Sequence, residues 1–287
     1  MLRTATKNSR YLFSQTNKIN IPKIKRYFWN SRKPAQIITH NNIDKTIDVI
    51  DRDRGLTNFI KDTHKFTGLG ITATLGISQL LSMSLPSEMI LPVLCVGAIM
   101  SFAGAIGVSF TKYTIHKEQN SNYLYSTNST GRLISFATLI GGMAMSLSPM
   151  VALVYEISST IFPASILISS CIFGASIMYA RLRPKGSLLS LEGPLMAGLI
   201  GLVSVGLVGL ASHLIFGPNI FSLALHSIDT YGGILLFTGL TAYNTHKSID
   251  MYEKGDPDHL GCAVQFYLDF MNILIRIMEA MAKAKQK

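Results

Sequence analysis

Residues 262 to 283 read CAVQFYLDFMNILIRIMEAMAK, and this stretch constrains what the rest of the chain can fold into. Gln265, Asp269, Asn272, Arg276, Glu279 and Lys283 recur in steps of three and four. A helix puts them all on one face. The other faces are Val, Phe, Leu, Met and Ile, and the chain upstream, back to Phe66, is apolar enough to lie in lipid. A carboxylate in the middle of such a helix must face protein or water, because acyl chains offer it no partner. Asp269 is therefore the first candidate for function.

Composition supports a membrane protein: 48% of the 287 residues are hydrophobic, 15% are charged, and mean hydropathy is +0.33. The net charge of +10 suggests nucleic acid only until it is located. Residues 1–43 hold nine Lys/Arg and no Asp or Glu, which leaves 17 basic against 16 acidic residues elsewhere. No basic face remains to pair with phosphates. Cys95, Cys171 and Cys262 stand far apart, without metal-ligand spacing, and read as small apolar packing residues.

Residues 1–43 have the basic, acid-free, Ser/Thr/Asn-rich composition of a mitochondrial transit peptide. A disordered basic tail is the alternative. Residues 44–65 carry mixed charge and read as a soluble or interfacial lead-in, on the matrix side in a mitochondrial protein. Residues 66–283 form the membrane domain, and 284–287 a basic tail. Apolar segments fall at 66–85, 89–110, 133–150, 160–180, 193–216, 227–245 and 262–282, most of them near the ~20 residues that cross a bilayer. Pro149 and Glu156 interrupt the third. The pairs Gly198/Gly201 and Gly206/Gly209 read as helix-packing sites. Loops 1–2, 3–4 and 5–6 have no Lys or Arg; loops 2–3, 4–5 and 6–7 do. The basic loops should share one side. A seventh crossing places the basic tail on the other side, so the last segment either spans as an exception or re-enters. The expected fold is an all-α membrane protein, multi-pass in the bilayer.

Three stretches carry a family resemblance. YGGILLFTGLTAYNTHK (Tyr231 to Lys247) resembles the sixth helix of the Bax inhibitor-1 (TMBIM, lifeguard) family. FYLDFMNI (Phe266 to Ile273) resembles that family's last helix. LLSLEGPLMAGLIG (Leu188 to Gly201) is similar to the fifth-helix entry of the family's mitochondrial branch. The resemblance implies a seven-helix bundle with a central, semi-polar last helix. It also implies residence in the mitochondrial inner membrane, a pH-sensitive calcium leak or calcium/proton exchange, and links to cristae shape, inner-membrane protein partners and apoptosis control. In the family an Asp of the sixth helix and an Asp of the last helix form a proton-sharing pair that gates the pore. Here Asp269 matches the last-helix position, while Asn244 stands at the sixth-helix position and His246 where the family has Gln. Lys112 is nearest to the family's basic residue at the end of the second helix.

One carboxylate and one amide should bind calcium more weakly than two carboxylates, since a hard cation favours several charged oxygens. The expected ion path is Asp269, Asn244, Asn272, His246, Arg276 and Lys112, with Asp269 the metal ligand and calcium and protons the candidate ions. pH gating should be blunted, or moved to His246. The competing role for Asp269 is an ion pair that holds the bundle. The competing role for the protein is an inner-membrane scaffold for cristae with no ion path. Arg276 and Lys283 are read as able to snorkel, Glu192 as a helix start, and Asp229 and His226 as solvated. Asp250, Glu253, Asp256, Asp258 and His259 are read as a solvated acidic loop without EF-hand spacing. GxSxG, HExxH and a second in-membrane Asp are all missing, so neither an enzyme nor a cofactor is expected.

Overall fold

A computed structural model describes residues 40–84, 86–117, 124–217 and 220–286. The transit-peptide reading of residues 1–43 falls almost wholly outside them. Seven α-helices are present among the described residues: α1 (His40–Ser84), α2 (Ile90–Phe110), α3 (Thr130–Ile157), α4 (Ile161–Leu182), α5 (Glu192–Phe216), α6 (Ile220–Glu253) and α7 (His259–Lys285). All seven apolar segments become helices, so the protein is an all-α membrane protein apart from one short hairpin. Among the described residues, six stretches, in α1 to α5 and in α7, are long and apolar enough to cross a membrane.

The last helix is the axis of the bundle. In its most apolar window 67% of residues are buried, against 6% for the window in α5, where Leu207 and Leu210 are exposed. Tyr267 and Phe270 join Phe136, Val151 and Phe162 in the main core, while Ile273 and Ile277 pack against Leu202, Phe237 and Leu240. α1 closes on α7 through polar contacts: Thr67 Oγ1 donates to the Ala263 carbonyl at 3.3 Å, and the Thr74 and Tyr267 hydroxyls meet at 2.7 Å. Small hydroxyls that satisfy each other allow such contacts away from water.

α2 and α3 approach most closely. A Cβ on Gly104 would overlap the backbone of Leu139, and one on Gly142 the backbone of Ser101. The glycine pairs singled out in α5 meet side chains rather than backbone: a Cβ on Gly198 would lie 2.9 Å from Leu236 of α6, Gly206 and Gly209 meet Asp229 and Leu225, and Gly201 has no atom near its missing Cβ. The tightest backbone seam is thus α2–α3; in α5 Gly198 packs on α6, and Gly206 lines a cleft. Pro149 does not end α3, which runs on to Ile157. Proline removes the N–H owed to the carbonyl four residues back. That carbonyl belongs to Met145, and the Ser148 hydroxyl donates to it at 2.9 Å.

The loop charges sort in space as expected. Loops 2–3 and 6–7 touch where Ser126 Oγ donates to the Pro257 carbonyl at 2.6 Å, and Lys185 of loop 4–5 pairs with Glu253 at 2.8 Å. At the other end, Lys285 reaches Ser158 and Thr160 between α3 and α4. α7 therefore runs the length of the bundle as one 27-residue helix, and the re-entrant alternative falls away. Residues 44–65 belong to the same continuous helix as the first membrane segment, with Phe59 packed on Tyr252 and Cys262.

The hairpin was not anticipated. β1 (Tyr113–Lys117) pairs antiparallel with β2 (Leu124–Asn128), Tyr113 opposite Asn128. YTIHK and LYSTN carry the β-branched and aromatic content of strands, a signal hidden by the helices on either side.

Candidate functional site

α6 and α7 lie side by side, and the polar face of α7 looks into the seam. Asp269 is 5% exposed and Asn244 7%. Asn244 Nδ2 donates to Asp269 Oδ2 at 2.7 Å. The two positions singled out by the family pattern thus meet directly. Asp269 forms no ion pair among the described residues, and its partners, the Asn244 amide and the Thr241 hydroxyl, are neutral. The bundle-holding ion pair foreseen as an alternative is not made there. Thr241, one turn before Asn244, has its own hydroxyl tied back to Phe237 at 2.8 Å.

Both residues line a cleft of about 920 Å³ between α5, α6 and α7. Its walls are apolar, among them Leu199, Leu202 and Phe237, and its polar groups are Glu192, Lys247, Asp269, Asn272, Asp229 and Arg276. A carboxylate bonded to an amide and not to a cation, at the side of an open cleft, suits a weakly held cation.

Arg276 sits about two turns along α7 from Asp269. It does not run out to the interface. Its Nε and Nη2 donate to the carbonyl and carboxylate of Asp229, both at 3.1 Å, and its Nη1 to Asn272 Oδ1 at 3.2 Å. The guanidinium also lies 5.1 Å from the Phe237 ring centroid. Asp229, read as solvated, is therefore an ion-pair partner. A Cβ on Gly233 would overlap the guanidinium, so glycine there is what lets Arg276 lie against α6. Gly233→Ala is expected to expel Arg276 from this seat with little change to the helix, since alanine favours helix over glycine by ~1 kcal/mol. Faster amide exchange in α6 around Asp229, with unchanged overall helicity, is the check.

Of the other predicted site residues Asn272 lines the cleft, while His246 and Lys112 lie elsewhere. His246 is buried on the far side of α6, where its Nε2 meets the Ala180 carbonyl of α4 at 2.8 Å. Lys112 is exposed just beyond α2. Asn272 ties its amide to the Leu268 carbonyl at 2.8 Å and supports Arg276. Glu192 begins α5, as expected of a helix start. Lys283 reaches Thr230 of α6 at 3.4 Å.

The buried charge that sequence reasoning missed is Arg132, 2% exposed in the first turn of α3. Its Nη2 pairs with Asp258 Oδ2 at 2.5 Å, its Nε donates to the Val108 carbonyl at 3.1 Å, and its Nη1 to Asn128 Oδ1 at 3.1 Å. The face of Tyr113 lies 4.5 Å away. Asp258 also caps α7, accepting from the Gly261 N–H at 2.9 Å. The acidic loop before α7 is therefore not solvated as a whole, because Asp258 and His259 are buried and Asp256 accepts from the Tyr113 hydroxyl. Burial, and then that carboxylate, hold the Tyr113 phenol above its ordinary value. In the sequence Arg132 looked like one more loop cation, and only the pairing of hairpin and loop distinguishes it.

The family profile described as inhibitor of apoptosis-promoting Bax1 matches residues 56–286. Among curated proteins, Bax inhibitor 1 of Mus musculus is 32% identical over 153 residues, 53% of this chain and 60% of that protein. A probable Bax inhibitor 1 of Paralichthys olivaceus is 29% identical over 188 residues, 65% of this chain and 72% of that protein. The uncharacterized protein RP147 of Rickettsia prowazekii (strain Madrid E) is 27% identical over 242 residues, 79% of this chain and 89% of that protein. The chain thus spans about 60% of the length of the Bax inhibitor 1 relatives matched over 153 residues.

Proposed function

The chain belongs to the Bax inhibitor-1 family, and from that premise we propose that it passes cations, calcium foremost, along the α6–α7 cleft. One observation carries the reading. Asp269 is a buried carboxylate at the side of an open cleft in the membrane domain, and its side-chain partners, the Asn244 amide and the Thr241 hydroxyl, are neutral. A carboxylate that served packing alone would be cheaper as an amide or an apolar residue. An ionised carboxylate facing a cleft offers a passing cation the oxygens that replace part of its water. The Arg276–Asp229 pair sets a fixed cation further along the same cleft and limits the rate at which calcium passes.

The proposal extends to place and coupling. The basic leader composition fits the mitochondrial inner membrane, with the basic loops toward the matrix, and protons as the counter-ions. A role in cristae organisation and apoptosis control would follow from calcium handling in that membrane. The scaffold reading draws on the Asn244–Asp269 hydrogen bond itself, which pins α6 to α7 whether or not an ion passes. Reconstituted wild type separates the two. Transport predicts calcium uptake into proteoliposomes that a pH gradient accelerates, whereas a scaffold takes up no more than empty liposomes.

A further inference from the structure

We propose that His259 is a pH-sensitive clasp, which fastens the β1–β2 hairpin to the head of the central helix and releases it on acidification. The donors and acceptors around the ring determine its state. Arg132 is a donor at every pH, and its Nη1 contacts Asn128 Oδ1 at 3.1 Å. The Asn128 amide is thereby oriented with its oxygen to Arg132 and its NH₂ to His259. Asn128 Nδ2 lies 2.9 Å from His259 Nε2, so this ring nitrogen accepts. On the other side Ser126 Oγ donates to the Pro257 carbonyl at 2.6 Å, which commits its proton. Ser126 Oγ, 2.8 Å from His259 Nδ1, can then only accept from that nitrogen. The network is complete for the neutral ring with its proton on Nδ1, and for no other form.

A second proton on Nε2 would point at the Asn128 NH₂. Turning the amide over would relieve that clash but would aim NH₂ at the Arg132 guanidinium. Either way a buried donor faces a donor, a costly arrangement in a site closed to water. His259 is 9% exposed, with the Phe66 ring of α1 5.4 Å away. The charged groups acting on the ring are Asp62 from α1, Asp258 from the preceding loop and Arg132 from α3. The two acids attract a protonated ring, yet neither pairs with it, and Asp258 is already engaged by Arg132 and the Gly261 N–H. Ser126 and Asn128 both belong to β2, so the groups that lose their bonds are those that hold the hairpin down. Asp258 and Pro257 adjoin the first turn of α7, which couples the clasp to the helix that carries Asp269.

The test is amide hydrogen exchange of the full chain in detergent, read by mass spectrometry over the hairpin and corrected for intrinsic rates. In wild type, protection of the hairpin is expected to fall about tenfold between roughly pH 8 and pH 5. His259→Gln supplies an acceptor and a donor but no titration, and its protection should stay flat. Asn128→Asp gives a protonated ring an acceptor, and the fall should vanish or reverse. An unchanged fall in both variants, or flat protection in wild type, overturns the proposal. Should His259→Gln fail to fold, Asn128→Asp alone decides.

Discussion

Arg132→Met is expected to cost the fold about 3–5 kcal/mol, the range for breaking a buried pair by removing one partner. Asp258 would stay 8% exposed with its Oδ2 unpaired, and the Val108 carbonyl and Asn128 Oδ1 would each lose a donor. Methionine fills the volume but returns none of these bonds. The loss should appear as a lower unfolding midpoint in detergent. Asp258→Asn in the same background should recover part of it, because the stranded charge is then gone. The exposed pairs are the control. Lys185–Glu253 and Lys254–Asp250 have lysines 66% and 72% exposed, and removing either lysine should change stability by about 0–1 kcal/mol.

Asn244→Asp is expected to turn a shallow response to pH into a steep one. The variant sets two carboxylates where Nδ2 and Oδ2 now stand 2.7 Å apart. Two carboxylates that close do not both ionise readily, and they titrate as a pair. Acid would fill the pair with protons and exclude calcium; alkali would open it with more charge than wild type carries. Calcium uptake at alkaline pH should rise severalfold above wild type and fall steeply on acidification, about tenfold per pH unit where the pair loses calcium. Wild type, with one carboxylate and one amide, should vary far less over the same range. Calcium flux at a series of fixed pH values is the check. Repeating the series in a His259→Gln background, which leaves Asn244 and Asp269 in place, separates this titration from that of the clasp.

Helix positions and the central role of the last segment were legible in the sequence because both rest on local pattern. Length in apolar residues sets a crossing, and steps of three and four set the polar face of α7. The pairing of Asn244 with Asp269 was legible only through the family motifs, since no periodicity says which two helices lie side by side. Arg276 was half legible. Its face was evident, but its seat depends on Gly233 and Asp229, a helix away. Arg132, Asp258 and His259 were not legible, because loops look solvated until two of them are folded together. The glycine pairs held only in part, Gly198 packing on Leu236 while Gly201 meets nothing: small residues permit close approach but do not say which neighbour makes it. Gly104 and Gly142 meet backbone.

The central claim is that the Asp269 carboxylate carries the cation step. Calcium uptake by proteoliposomes, compared for wild type and Asp269→Asn at equal protein density, tests it most directly. Asparagine keeps the shape and can still bond to Asn244, so folding should hold, as a matched unfolding midpoint would verify. Uptake above that of empty liposomes in wild type, reduced at least about tenfold by Asp269→Asn, is the result this account predicts. Equal uptake by the two proteins, or none by folded wild type, would contradict it.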